Sequence, residues 1–251
     1  MALAAGATLV AAAFALSTLD RFLARRRRHE AAWTVSLVFF TVASAALWLA
    51  AANGWNGPTF RVFYLFGAIL NVPWLALGTV YLLAGRRTGD WCAAGLALVS
   101  AFAAGVMTVA PLEGPIASEG LPQGSDVFGP LPRILAAVCS GGAAVVIIAG
   151  ALISAWRLLR GRARSRAAAP PVIDPRRLAL GNILIAAGTL VLSASGTLNA
   201  RLGAMTAFAV TLLIGISVLF IGFLVTTAAP RPVPAHSAQE APQDLARHAL
   251  R

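Results

Sequence analysis

Few side chains within the apolar runs of this chain can do chemistry, and most are amides, hydroxyls and indoles. The stretch YLFGAILNVPW at residues 64–74 gathers Tyr64, Asn71, Pro73 and Trp74. At about 100° per residue, Tyr64, Gly67, Asn71 and Gly78 share one helical face, with Trp74 about 60° to its side. In LALGNILIAAGTLVLSASGTLN, residues Asn182, Thr189, Ser193 and Thr197 likewise recur at helical spacing. Deep in a membrane such groups either bond a neighbouring helix or hold the polar part of a solute. Asn71 and Trp74 form the candidate solute-contact pair, and Tyr64, Asn182, Thr189 and Ser193 are further binding candidates. Ser140, Thr189 and Ser193 are the expected bonding partners of the Asn71 amide. Pro73 brings no N–H to the carbonyl of Ile69 and predicts a kink, opening on a side of the helix about 160° from Asn71.

Several chemistries are missing. All twenty basic residues are arginine, so no lysine is present to form a Schiff base or a Ser-Lys dyad. His29, His236 and His248 fall in polar segments, and no apolar run has an acid near its centre. The SASG at residues 193–196 has no base beside it and reads as helix packing. Cys92 and Cys139 lack CxxC spacing and read as small buried hydrophobes. Glu113, Glu119 and Asp126 are spread through a Pro- and Gly-rich loop in no ligand pattern, and read as solvated. The expectation is a protein without enzymatic activity, cofactor or metal.

Membrane helices must position these side chains. The 251 residues are 59% apolar and 12% charged, and the mean hydropathy is +0.79. Seven apolar stretches, at 2–19, 31–52, 60–84, 91–110, 131–156, 178–199 and 204–227, each approach the roughly 20 residues that cross a bilayer as helix. Helix is imposed, because backbone groups facing lipid find no water to bond. The first run is preceded by no basic residue and followed by DRFLARRRRHE, which predicts an uncleaved helix rather than a signal peptide. With the N-terminus outside, seventeen of the twenty arginines fall on inner segments; only Arg61, Arg133 and Arg201 lie outside. The net charge of +11 is then wholly cytoplasmic, which points away from nucleic acid and towards membrane retention. Arg25, Arg26, Arg27 and Arg28, with Arg160, Arg162, Arg164 and Arg166, are the expected topology determinants and contacts for acidic lipid headgroups.

The predicted architecture is an all-α, polytopic transmembrane bundle of seven helices, N-terminus outside and C-terminus inside, spanning residues 1–227. A disordered cytoplasmic tail follows at 228–251, and the inner connection before Arg177 reads as disordered too. The outer PLEGPIASEGLPQGSDVFGPLP reads as a turn-rich cap. Two small-residue stripes, Ala93, Ala97, Ala101 and Gly105 in the fourth run and Ala207, Thr211, Gly215, Gly222 and Thr226 in the seventh, read as bundle contacts, with homo-oligomerisation as the alternative. LGTVYLLAG and AGTLVLSASG align loosely as an inverted repeat. The proline and asparagine pattern of a SWEET-type three-one-three carrier is missing.

The run RVFYLFGAILNVPWLALGTVYLLAGRR, with LPQGSDVFGPLPR, resembles a group of actinobacterial multi-pass membrane proteins of no assigned activity. The resemblance covers most of residues 30–227 and implies a bacterial plasma-membrane location and no mechanism. The expected function is binding or transport of a small neutral or weakly polar solute within the bundle. The alternative is an interaction or assembly subunit engaging a cytoplasmic partner or acidic lipid through the Arg-rich loop and tail.

Overall fold

The computed structural model describes residues 1–116, 120–161, 180–181, 183–192 and 205–227. Helix α1 (Ala2–Arg25) runs past the expected end of the first span at residue 19. Its buried stripe is Ala4, Ala7, Ala11, Phe14, Ala15 and Thr18, the three-and-four spacing of one helical face. Arg26 takes a left-handed conformation (φ 52°, ψ 32°) and its N–H returns to Phe22 O, so the chain turns at once into α2 (Arg28–Asn53). The two helices pack along their length as a hairpin.

The next helical run, Gly57–Val109, has 53 residues. Straight, it would extend about 80 Å, well over twice the roughly 30 Å of a hydrocarbon core. It comprises α3 (Gly57–Phe63), a π-helical turn π1 (Tyr64–Leu70) and α4 (Asn71–Val109). Within α4, Gly85 adopts φ 83° and ψ 179°, a backbone that only glycine enters cheaply, and the helix reverses there. The Trp74 indole N–H accordingly donates to Ser100 Oγ at 3.1 Å across 26 residues, a separation of about 39 Å in a straight helix. The expected third and fourth spans are the two legs of this broken helix. At the far end the Arg61 guanidinium clamps them, donating to the carbonyls of Met107 and of Ala110, the latter at 2.6 Å.

Beyond Val109 the chain makes an isolated antiparallel bridge, Leu112 to Phe128, and the short helix α5 (Gly124–Val127). The expected cap is therefore a strapped loop with one helical turn. It leads into α6 (Pro130–Ala136), a second π turn π2 (Ala137–Gly141) and α7 (Gly142–Gly161). Helices α8 (Ile183–Leu192) and α9 (Met205–Thr227) complete the described chain. Five helices among the described residues are long and apolar enough to cross a membrane: Ala2–Arg25, Arg28–Asn53, Gly57–Val109, Pro130–Gly150 and Thr206–Val225. Most of the connection before Arg177, part of the sixth run and the tail lie outside the described residues.

The two small-residue stripes behave differently. On α9, a Cβ added at Gly222 would stand 2.9 Å from Gly181 O, and one at Gly188 on α8 would stand 2.7 Å from Leu219 N, so these glycines set the α8–α9 approach. In the fourth run Ala97, Ala101 and Gly105 are exposed, and the inward face is instead carried by Leu96, Ser100, Ala103 and Met107. The expectation that the Ala97 stripe packs inside the bundle is corrected. Small residues are tolerated against lipid as well as against helices, so their spacing does not choose a face.

The basic end of the bundle is tied by charge. Glu30 is 2% exposed and sits 3.7 Å from Arg21, whose guanidinium lies over the Phe223 ring at 4.9 Å. Asp90 accepts from Arg28 at 2.7 Å and from the Tyr81 hydroxyl at 2.9 Å, holding the Gly85 reversal against α2.

Candidate functional site

The strapped loop covers a cavity of about 610 Å³ bounded by α2, α3, π1, the start of α4, α6, π2, α7, α8 and α9. Its walls are mainly apolar, among them Phe40, Phe63, Leu75, Phe208 and Leu212. Polar groups reach it from several elements: Tyr64, Asn71, Ser44, Ser140 and Thr189 within, and Gln123, Ser125 and Arg133 at the loop side.

The two π turns face one another here, and Pro73 explains why the first exists. The Asn71 N–H bonds Phe66 O, five residues back, which is the π register. In that register Pro73 would have served Ala68 and brings no N–H to it. The Ser140 hydroxyl, from π2, donates to Ala68 O instead. The expected orphan carbonyl at Ile69 and simple kink are thus corrected to a widened turn, with the Ala68 carbonyl satisfied by the opposite wall. A π turn inserts about one extra residue, so it swells the helix where the cavity lies.

Asn71 bonds α2 rather than the fifth or sixth span. Ser36 Oγ, on a residue 1% exposed, stands 2.8 Å from Asn71 Oδ1 and 2.9 Å from Asn71 O. One hydroxyl proton faces two acceptors, so the amide shares this bond. The amide nitrogen has no hydrogen bond among the described residues. Gly78, one more turn pair along, meets Trp33 of the same helix. Expected partner Ser140 serves Ala68 O, and Thr189 Oγ1 donates to Ile185 O in its own helix at 2.8 Å.

Trp74 parts company with Asn71. Its indole is committed to Ser100 and it packs edge-on against Phe39 at 6.2 Å. It borders a second, open groove with Phe22, Arg26, Arg28 and Tyr81, not the loop-covered cavity. Tyr64, Asn71 and Thr189 are brought together; Trp74 is not. Asn182, Ser193 and Thr197 lie outside the described residues, as do Arg162, Arg164 and Arg166. Arg25 and Arg28 flank the α1–α2 turn with Arg26 and Arg27, at the basic end.

Residues beyond the sequence-predicted set also belong to the cavity. Ser44 is 1% exposed, and among the described residues its hydroxyl has no hydrogen-bond partner, although serine in a helix can bond the carbonyl four residues back. Arg133 counts in the sequence only as one of three outer arginines. Gly141-Gly142, at the end of π2, is the sequence signal for a loosened helix on that wall. No protein family, curated protein or solved structure matches the chain.

Proposed function

We propose that this chain is a seven-span plasma-membrane protein, N-terminus outside, that binds a small solute in the loop-covered cavity and carries it without covalent chemistry. The observation that carries the reading is the pair of π turns facing each other across that cavity, bridged by Ser140 and Ala68. Each π turn forfeits regular helix geometry, and such turns concentrate where function requires them. Asn71 and Ser44 add polar capacity that the fold has not used up, in a largely apolar cavity of ordinary ligand size. On the same reading Arg25 to Arg28 meet acidic headgroups of the inner leaflet.

The test is a screen of purified protein in detergent for solute-dependent rises in Tm, repeated with Asn71→Leu and with the cavity-filling Ala144→Phe on the α7 wall. A solute that stabilises the parent and loses its effect in both variants supports the reading. Stabilisation that survives both overturns it. A reporter fused to the N-terminus and found inside the cell overturns the topology.

A further inference from the structure

The two outer arginines on described helices are used in opposite ways. Arg61 is spent on the carbonyls of Met107 and Ala110, which close the end of the helix pair. Arg133 lines the cavity and, among the described residues, has no carboxylate within 4.0 Å. Of the loop's described acids, Asp126 accepts from Ser125 at 3.0 Å, and the Glu113 carboxylate lies against Gly129. Among the described residues that line the cavity none is an acid, and Arg133 is the charged one.

Depth gives the other half of the match. Arg133 precedes Ser140 by seven residues of α6 and π2, so its Cα stands about 10 Å along the wall from that of Ser140, which is bonded to Ala68. The surface between them is mainly apolar, and the Ser44 hydroxyl lies buried on the α2 wall without a partner among the described residues.

We propose that the cavity takes an amphiphile bearing one anionic head, a carboxylate or phosphate paired with Arg133, and an apolar body reaching inward beside Asn71. This rests on the cavity being a binding site, and it narrows the expected neutral solute to an acid. The head is supplied either by a free organic acid or by an anionic lipid entering from the outer leaflet. Guanidinium matches both oxyanions through paired N–H donors; Arg133 is exposed at the loop side, so water screens part of the pair's attraction.

Octanoate, octyl phosphate and octanol serve as probes, read by Tm shift and by titration calorimetry on the purified protein. Octanoate is expected to bind the parent and to weaken by about tenfold in Arg133→Gln, as loss of one charge-assisted bond requires. Arg133→Lys recovers part of the affinity, and octanol is indifferent to both changes. Arg133 is exposed, so these variants fold. Octanoate and octanol binding equally, unaffected by Arg133→Gln yet both blocked by Ala144→Phe, would overturn the acid head and leave the cavity reading intact. Binding insensitive to Ala144→Phe, or no binding by any probe, would overturn both. In nanodiscs, competition with octanoate by phosphatidylglycerol but not phosphatidylcholine assigns the head to lipid; octanoate binding equally in both assigns it to a free acid.

Discussion

Between Tyr64 and Val72 the broken helix swells into a π turn and lines a cavity, whereas from Trp74 to Tyr81 the same helix closes on Trp33, Ser100 and Asp90, with residues 84–88 exposed beyond it. In the first half Ser140 must supply a bond that Pro73 withholds, and Asn71 splits a single serine proton. In the second, Trp74 is bonded to Ser100, Tyr81 to Asp90, and Gly78 lies directly under Trp33. The difference teaches how one helix combines rigidity with an opening. In lipid, where apolar burial gives helices little reason to associate, close approach and hydrogen bonds hold the closed half. The open half keeps the bonds of Ser140 to Ala68 and of Ser36 to Asn71 and is stabilised besides by the aromatic cluster of Phe60, Phe128 and Trp55 near the loop, with Phe60 stacked on Phe128 at 5.3 Å.

The largest effect separating the halves is expected at their glycines. A Cβ at Gly78 would stand 2.0 Å from Trp33 Nε1, and that ring is held between His29 and Phe223. Gly78→Ala is expected to cost about 2 kcal/mol, within the usual range for overpacking. Gly141 on the cavity wall has nothing within 4 Å of its added Cβ, so Gly141→Ala is neutral or gains up to about 1 kcal/mol through helix propensity. Reversible unfolding in mixed micelles measures both; equal losses would erase the distinction.

The second effect is a coupling. Ser140→Ala strands the Ala68 carbonyl and is expected to cost about 1–2 kcal/mol. Pro73→Ala restores an N–H to that turn and lets π1 relax towards α geometry, so the same serine change costs less in the Pro73→Ala background. A double-mutant cycle reads the difference. Additive effects would mean that Pro73 and Ser140 do not answer one another. Pro73→Ala is also expected to narrow the cavity and weaken solute-dependent stabilisation while leaving Tm level or higher.

Much of this was legible in the residues, and the part that was not has a physical cause. The apolar runs and the arginines between them marked the helices, and Asn71 with Gly78 was correctly set on one packed face. The arithmetic of 100° per residue has no place for a π turn, so Pro73 was read as breaking the bond to Ile69 when the register had already shifted. Proline announces a missing N–H; it does not say whether the helix will bend or widen around the loss. Ser36 and Ser44, one bonded to Asn71 and the other unpaired, look alike in sequence, since only the neighbouring helix distinguishes them. The Ala97 stripe failed for a similar reason, because lipid accepts alanine as readily as another helix does.

A smaller change tests whether Trp74 belongs to the closed half. Trp74→Phe removes the bond to Ser100 but keeps an aromatic ring against Phe39. The expected loss is about 1 kcal/mol, one hydrogen bond, with solute binding unchanged. A loss of binding as large as that from Asn71→Leu would return Trp74 to the cavity and join the two halves.

The smallest expected effect lies at the Gly85 reversal. Asp90 holds Arg28 and Tyr81, but its side chain is 37% exposed and that of Arg28 is 50% exposed, so water screens the pair. Asp90→Asn is therefore expected to lower stability by about 0.5 kcal/mol, with the loss shrinking further as salt is raised. An amide still accepts from Tyr81 and Arg28, so the reversal itself persists, because the left-handed backbone at Gly85 makes the turn and the carboxylate only steadies it. Faster hydrogen exchange confined to residues near 85–90 in Asp90→Asn, with the open half untouched, is the expected pattern. Exchange that rises equally around Tyr64 to Asn71 would show that the closed half governs the open one, and the comparison between them would have to be redrawn as a single coupled helix.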